Sequence, residues 1–481
     1  MTRINTNTSA LVATRQLART NQSLRTSLER LSTGLRINRG ADDPAGLIIS
    51  QNLRSEIEAV RQAVANSQRA SNVIATTEGA LDEVASLLND IQSKIVEAAN
   101  VGAVSDDEIR ANQLQIDSAV ESITRIANTT TFAGRKLLNG SLGYITSGVA
   151  PASITDLRIN NVQFGTASFV PVTVAVTQSA QHAELQFQTS SVASSVTLEV
   201  AGPNGVRSIS LLSGATATQI KDSINATSDA TGVSAAFINA GNPSSGVILN
   251  SQAFGSDAFV QIQEIGTSTQ PFLSFTKNLA GATVSRETGR DVAATINGAG
   301  TIGKGLKLQI NSAILGLEVR IQEAFNTAGS TSFSVTGGGA RFQLGPGVDT
   351  NQQINIGVPS VAATRLGNET FGFLEQIKDG GIASLTSGQA AQAAKIINEA
   401  ITQVSVFRGR LGSFEKNTLD TNVNQLSITM ENLISAESSI RDLDFAQETS
   451  NLTKQQILIS AGTSVLAVAN QTPQTVLSLL Q

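Results

Sequence analysis

The side chains that most enzymes use for catalysis are nearly missing from this sequence. It has no Cys and no Trp, one His (His182) and one Tyr (Tyr144). Zinc hydrolases, Ser-His-Asp and Cys-His nucleophile systems, thiol redox centres and haem sites need His or Cys. With no Cys and a lone His182 that cannot build a multi-His site, the sequence argues against these classes. A pair of carboxylates like that of glycosidases stays open on composition alone. We expect no cofactor or metal, and we expect His182, in a Ser- and Thr-rich stretch, to be an exposed polar side chain.

Length and charge favour a folded protein with several cores. For 481 residues the usual domain size suggests roughly two to four domains. The net charge is -5 and the Lys and Arg residues are spread along the chain, which argues against nucleic acid as a partner. The uncharged stretch from Gln455 to Gln481 is interrupted by polar residues well short of about 18 apolar ones, so we expect no membrane span. The first ten residues carry no apolar core, and no secretory signal peptide is expected.

Apolar residues recur with heptad spacing at both ends of the chain, as in a coiled coil. The N-terminal seam consists of two tracks: Leu17, Leu24 and Leu31, and Leu28 and Leu35. The C-terminal seam consists of Phe445, Leu452, Ile459 and Leu466. Because an isolated helix gains little stability in water, we predict that these seams pair with each other and with neighbouring copies in a polymer. An intramolecular bundle within a monomer is the alternative.

A bend is predicted directly after the N-terminal seam. Its residues are Arg36, Asn38, Gly40, Asp42, Asp43 and Pro44. Pro lacks the amide donor that a helix interior needs, and Gly permits left-handed backbone angles, so the helix is expected to break here. The segment would form a spoke between the terminal helix and the next one.

Longer helices with an apolar seam follow the bend and return near the C-terminus. Their seam residues are Leu53, Ile57, Val60, Leu81 and Leu88 on the N-terminal side, and Leu419, Val423, Leu426, Met430 and Leu433 on the C-terminal side. A further helix is expected to begin near Ser105, whose hydroxyl can cap it together with Glu108.

The middle of the chain changes to alternating strands punctuated by Gly, Ser and Asn, from about Gly140 to Val361. Two similar segments inside it, Ile220–Asn225 and Asp291–Asn297, are predicted to be short helices packed on hairpins. The fold class is therefore α+β: long terminal coiled-coil helices form a helical domain pair, and the middle region is mostly β.

Specific runs of residues mark both helical ends. They are Ser27 to Gly46, Thr131 to Leu138, Ser439 to Glu448, Ile459 to Leu466 and Ala469 to Leu480. These runs resemble bacterial flagellin, the subunit of the flagellar filament. The resemblance implies a terminal coiled-coil polymerisation domain (1–44 plus 444–481), a helical rod domain with a β-hairpin (45–170 plus 340–443), and an outer, mostly β, surface-exposed region (171–339).

The resemblance also implies a function and partners. The chain would self-assemble into an extracellular filament used for motility, after unfolded export through the flagellar type III apparatus without a cleavable signal peptide. Its partners would be copies of itself, a flagellar export chaperone, and the cap and hook-associated proteins, with no nucleic acid and no membrane. It would be a structural protein and not an enzyme.

Other functions share some of these features. A hook-filament junction protein would have the same ends. A filament displaying an adhesin or glycan-binding middle domain would fit the exposed Ser, Thr and Asn residues. An enzyme inserted in the middle is a further alternative, although the absence of a His-Glu-x-x-His run argues against its metallopeptidase form.

Overall fold

The computed structural model describes residues 6–165, 167–266, 272–312 and 314–478, with side chains as far as residue 471. The predicted terminal segments 1–44 and 444–481 therefore extend beyond the described residues at both ends. The α-helices are α1 (Thr8–Thr33), α2 (Pro44–Ala98), α3 (Asp106–Thr129), α4 (Ala217–Asn225), α5 (Ser228–Thr231), α6 (Ala390–Phe414), α7 (Thr421–Arg441) and α8 (Phe445–Ser478). A π-helical segment, Glu415–Asp420, joins α6 to α7. Short 3-10 turns cover Phe272–Phe275, Glu323–Phe325, Thr350–Gln352, Leu374–Ile377 and Leu385–Ser387.

The strands occupy the middle of the chain. They are β1 (Thr131–Phe132), β2 (Arg135–Lys136), β3 (Tyr144–Ser147), β4 (Ile154–Val162), β5 (Val170–Gln178), β6 (His182–Phe187), β7 (Val196–Gly202), β8 (Gly205–Leu211), β9 (Val233–Asn239), β10 (Asn242–Phe254), β11 (Phe259–Ile265), β12 (Thr276–Asn278), β13 (Arg286–Thr288), β14 (Ala293–Ile296), β15 (Ala299–Gly300), β16 (Ile302–Lys304), β17 (Lys307–Asn311), β18 (Leu315–Ile321), β19 (Gly329–Gly338), β20 (Ala340–Gln343), β21 (Gln353–Ile356), β22 (Gly367–Asn368) and β23 (Gly372–Phe373). Long helices at the ends and a mostly β middle confirm the predicted fold class.

The chain divides into two compact units. The first unit contains Met1–Ser71, Gln343–Val348 and Glu415–Gln481, and the second contains Asn72–Phe342 and Asp349–Phe414. In the first unit α2 and α7 share a small apolar core of Val60, Ala63 and Leu426, with Met430 packed against it. Asn422 Nδ2 also donates to Ser67 Oγ at 3.0 Å.

Helix α3 in the second unit begins as the sequence predicts. Ser105 accepts from the backbone N–H of Glu108, and the Glu108 carboxylate accepts from the backbone N–H of Ser105 at 2.7 Å. This reciprocal capping box satisfies donors that the first turn leaves unpaired. Ile116, Val120 and Ile123 form the fully buried face of the helix.

Strands β3 to β5 and β14 to β19, which flank a long insertion, build what we call the split β core. Hydrogen-bonded neighbours follow the orders β15-β14-β5-β19-β3 and β16-β17-β18-β4. The sheets share a buried apolar cluster that includes Val172, Leu317 and Val335. Ile154 and Val162 of β4 belong to the same cluster, so this β structure begins before residue 171.

Strands β6 to β13, with α4, build what we call the inserted β core. Its sheets follow the orders β12-β6-β10-β9 and β13-β11-β7-β8. Leu185, Val200 and Leu249 lie in its apolar cluster together with Ile220 and Ile224 of α4. The prediction of a short helix over Ile220–Asn225 is thus confirmed.

The matching prediction for Asp291–Asn297 is wrong. Ala293–Ile296 is strand β14, with Ala294 and Ile296 facing the core in strict alternation. The strand turns back at Asn297 and Gly298, whose φ angles of 51° and 82° are both positive, and pairs with β15. Asn-Gly is the preferred pair for such a two-residue hairpin turn, so this signal outweighed the likeness between the segments.

Candidate assembly surface

Helices α1 and α8 lie antiparallel, as contacts along their length show. Asn7 Nδ2 donates to the carbonyl of Ala469 at 2.7 Å. Midway, a Cβ placed on Gly462 would lie 3.4 Å from Leu17 Cδ1, and near the bend a Cβ on Gly34 would lie 3.8 Å from the Phe445 ring. The two ends of the chain therefore pair with each other, at one register.

The backbone fixes this register where the helices meet the bend. Arg36 N donates to the carbonyl of Arg441 at 2.8 Å, and Leu443 N donates to the carbonyl of Gly34 at 3.0 Å. Leu35 and Asp442 form an antiparallel bridge between them. Gly34 ends α1 with a φ of 72°, the left-handed angle that favours glycine at this position.

Each helix contributes a track of large residues and a track of small or polar ones. On α1, Leu17, Leu24 and Leu31 are half-buried, whereas Thr20 and Ser27 between them are buried. On α8 the large track is Leu452, Ile459 and Leu466, all half-buried, and the other track includes Glu448, which is buried, and Gly462.

The large track of each helix faces the small or polar track of the other helix. The register set by Leu17 and Gly462 places Leu452 opposite Ser27 and Ile459 opposite Thr20. Leu452 and Ile459 thus lie opposite small residues of α1, whereas Leu24 and Leu31 lie opposite the polar residues Gln455 and Glu448 of α8. Thr20 and Ser27, which are spaced by seven and buried, are contact residues that the sequence analysis did not identify.

Leu28 and Phe445 are only partly covered within the chain, with exposures of 50% and 56%. Leu35, on the same predicted track as Leu28, is half-buried at the bridge to Asp442. The assembly role predicted for Leu28 and Phe445 stays a prediction, and their exposed surface is available to neighbouring copies.

The pair of helices leaves several large apolar side chains exposed. Ile457, Leu458 and Val465 on α8 are 63%, 43% and 59% exposed, and Leu11 and Val12 on α1 are 63% and 61% exposed. No charged residue occurs in α8 from Gln455 onward. Solvent-facing helix surfaces normally carry Lys and Glu, so this surface has the composition of a contact surface.

The bend is an ordered turn stabilised by its own aspartates. Asp42 Oδ2 accepts from Asn38 N at 3.1 Å and from Arg39 N at 2.9 Å, and the hydrogen bond from Arg39 holds the pKa of Asp42 below its ordinary value. Asp43 Oδ1 accepts from Gly46 N at 2.9 Å in the first turn of α2, which begins at Pro44. These hydrogen bonds stabilise the turn that separates α1 from α2.

Other bend residues tie this turn to its surroundings within the first unit. The Arg36 side chain donates to the carbonyl of Ile440, and Asn38 Nδ2 donates to the carbonyl of Leu35 at 3.3 Å. Gly40 lies against the Leu47 side chain. Ile37, which sequence reasoning passed over, is only 1% exposed and anchors the turn.

The predicted rod-seam residues are buried to different degrees. Ile57, Val60, Leu81, Leu88, Leu419 and Leu426 are buried, and Leu53, Val423, Met430 and Leu433 are half-buried. Glu437, the residue that interrupts the apolar spacing of α7, lies 3.8 Å from Arg54 and 3.9 Å from Arg441. Its charge at a seam position is therefore compensated within the chain.

His182 is half-buried, which corrects the expectation of an exposed side chain. Its Nδ1 lies 3.1 Å from the carbonyl oxygen of Ala253, and its ring lies against that of Phe254 with 3.7 Å between centroids. Among the described residues, His, Asp and Glu side chains form no group of three or more that could hold a metal ion. The helices within the described ranges also include none with the length and apolar character needed to cross a bilayer.

Comparison with known proteins places these helices in a family. Residues 4–142 match the model of the bacterial flagellin N-terminal helical region, and residues 394–480 match that of the C-terminal helical region. B-type flagellin of Pseudomonas aeruginosa is 31% identical over 99% of this chain and 99% of its own length. Flagellin B of Helicobacter pylori is 29% identical over 100% of this chain and 99% of its own length, and Flagellin A of Vibrio cholerae is 29% identical over 99% of each. The chain therefore belongs to the bacterial flagellin family and is a structural subunit of the flagellar filament.

Proposed function

We propose that this chain polymerises through the uncovered apolar surface of α1 and α8, the surface formed by Leu11, Val12, Ile457, Leu458 and Val465. The observation that carries the proposal is the exposure of these residues on helices that already pair with each other. Because the pairing covers one face only, neighbouring copies must cover the other for the apolar surface to leave water.

The proposed assembly also accounts for marginal stability of the ends in a free subunit. The small and polar residues of the interface, such as Thr20, Ser27 and Glu448, bury little apolar area. Helices that gain little from packing remain close to unfolding in water. Contacts with several neighbours in a polymer would supply the missing burial, so the ends would become fully ordered on assembly.

Point substitutions on α8 test this proposal. Ile457→Ser and Val465→Ser each remove apolar area that assembly would bury, worth about 1.5 kcal/mol. The critical concentration for filament growth is expected to rise by roughly tenfold for each. Gln456→Ser, at the neighbouring exposed polar position, serves as the matched control and should polymerise like the parent.

Filament growth is followed by pelleting and electron microscopy across a concentration series, with circular dichroism of each free subunit as a folding check. If both apolar variants polymerise at the parental concentration, the surface is not used in assembly. Truncation of residues 1–40 or 450–481 should leave a soluble, mostly folded subunit that forms no normal filament.

Further features are proposed from membership in the family. We propose a terminal polymerisation domain (1–44 plus 444–481), a rod domain (45–170 plus 340–443) and a surface-exposed outer region (171–339). We also propose unfolded export by the flagellar type III apparatus and association with an export chaperone and with the cap and hook-associated proteins. A role without catalysis is supported by the engagement of the sole His in a backbone contact and an aromatic contact.

A further inference from the structure

The chain passes from the split β core into the inserted β core once and returns once, and the two connecting segments lie side by side. Gln181 N donates to the carbonyl of Arg290 at 2.8 Å, and Arg290 N donates to the carbonyl of Gln181 at 3.0 Å. Gln181 precedes β6, the first strand of the inserted core, and Arg290 follows β13, its last. Two crossings of this kind form a hinge unless other contacts immobilise them, since relative motion is the default for modules joined by short connections.

The carboxylate of Asp291, next to the second crossing, bonds to both cores at once. Its Oδ1 accepts from Ser256 N at 3.0 Å and from Gly305 N at 2.7 Å, and its Oδ2 accepts from Ser256 Oγ at 2.6 Å. Ser256 lies in the loop between β10 and β11 of the inserted core. Gly305 lies in the turn between β16 and β17 of the split core.

The backbones around this carboxylate approach too closely to admit side chains. A Cβ on Gly255, where φ is +104°, would lie 2.5 Å from Asp291 Oδ1 and 2.6 Å from Gly305 N. A Cβ on Gly289 would lie 2.5 Å from the carbonyl oxygens of Gln181 and Gly255. Glycine at these positions lets the carboxylate reach the donors of both cores.

An apolar contact accompanies the polar one. Phe254 belongs to β10 of the inserted core, yet its side chain packs against the apolar cluster of the split core. The His182 ring also lies against Phe254, with 3.7 Å between the ring centroids. The junction therefore combines a carboxylate that accepts three hydrogen bonds with a half-buried aromatic ring.

We propose that Asp291 is a positioning residue that fixes the orientation of the inserted β core relative to the split β core. The inserted core is then a rigid extension of the subunit rather than a module that swings on its two connections. Hydrogen bonds to a charged acceptor are stronger than those between neutral groups, and here they act between segments that share no sheet. This inference does not depend on how the subunits assemble.

Distance measurement between spin labels tests the proposal directly. The chain has no Cys, so labels at Ser208→Cys in β8 and Gln309→Cys in β17, both exposed, report on one core each. Double electron–electron resonance should give a narrow distance distribution in the parent and a clearly broader one in Asp291→Ala. The methyl side chain of alanine can accept none of the three hydrogen bonds that Asp291 accepts from Ser256 and Gly305.

The matched control is Asp222→Ala, which removes an exposed carboxylate that pairs with Lys221 at 3.0 Å inside the inserted core. It should keep the narrow distribution. An Asp291→Ala distribution as narrow as that of the parent would overturn the proposal, as would equal broadening in the control.

A milder variant keeps the proposal testable if Asp291→Ala does not fold. Ser256→Ala removes the Oγ donor and leaves the backbone donors in place. Exchange of the Gly305 amide should become about tenfold faster in Asp291→Ala and less so in Ser256→Ala, as expected for loss of charge-assisted hydrogen bonds. Parental exchange and parental distance width in a folded Ser256→Ala variant, confirmed by circular dichroism, would count against the proposal.

Discussion

Tyr144 shows how a single side chain can tie several strands together. Its hydroxyl donates to the carbonyl of Asn355 at 3.0 Å and accepts from Val162 N at 2.9 Å. Its ring lies beside Gly357, where a Cβ would approach to 2.5 Å. Burial raises the pKa of Tyr144 to about 12, because the phenolate would lose its hydration.

Alkaline titration of Tyr144 should therefore differ between the folded and unfolded protein. The chain has one Tyr and no Trp, so phenolate absorbance reports on this residue alone. We expect a midpoint of about 12 when folded and about 10 in denaturant. Since the folded pKa is raised, the stabilising contribution is complete below pH of about 10 and is lost as pH rises through the folded pKa.

Tyr144→Phe provides the control, because it should show no absorbance change over the same range. A folded midpoint near that of the unfolded chain would mean that the hydroxyl is not buried in solution.

At the scale of elements, the pairing of α1 with α8 depends on which residues are small. A Cβ at Gly462 fits at 3.4 Å from Leu17 Cδ1, whereas a longer side chain would occupy the volume of Leu17. Gly462→Ala should therefore be tolerated and should favour the helix by about 1 kcal/mol. Gly462→Leu should separate the helices and raise the critical concentration for filament growth by at least about tenfold.

Pelleting assays measure the critical concentration of both variants. Because both variants lack the glycine, the difference between them reports the effect of side-chain size at position 462. Equal assembly by Gly462→Leu and the parent would show that α1 and α8 do not pack at this register in the filament.

The capping box of α3 offers a second test at this scale. Ser105→Ala removes the hydroxyl that accepts from Glu108 N, and the expected loss in the free energy of unfolding is about 1 kcal/mol. Denaturant unfolding followed by circular dichroism measures this change. Ser86→Ala, at an exposed position inside α2, should change stability much less, and a similar loss there would argue against a specific capping effect.

For the whole molecule, the distribution of buried apolar residues predicts where stability is concentrated. The split and inserted β cores contain fully buried clusters, whereas the large seam residues of α1 and α8 are only half-buried. In the free subunit, amide hydrogen exchange should therefore be slow in the β cores and fast in α1 and α8.

Polymerisation should reverse this contrast in the terminal helices. Exchange in α1 and α8 should slow markedly in filaments, while exchange in the β cores changes little. Mass spectrometry of peptides from the two states measures this. Strong protection of α1 and α8 in a dilute monomer would contradict the view that the ends need neighbours.

Local sequence patterns predict most of the elements and the family. Heptad spacing of leucines predicted the terminal helices, Ser105 and Glu108 predicted the start of α3, and the alternation of apolar residues predicted a mostly β middle. These features are local: a repeat or a cap depends on residues a few positions apart, so it can be recognised without knowing what packs against it.

Which surfaces meet depends on how distant segments fold against one another. Leu28 has the same residue type as Leu24 and Leu31, yet the register of α1 against α8 buries Ser27 and leaves Leu28 half exposed. Asp291 finds its partners at Ser256 and Gly305, which belong to different strand connections. Such contacts depend on how distant segments are brought together, and the local pattern around each residue does not contain that information.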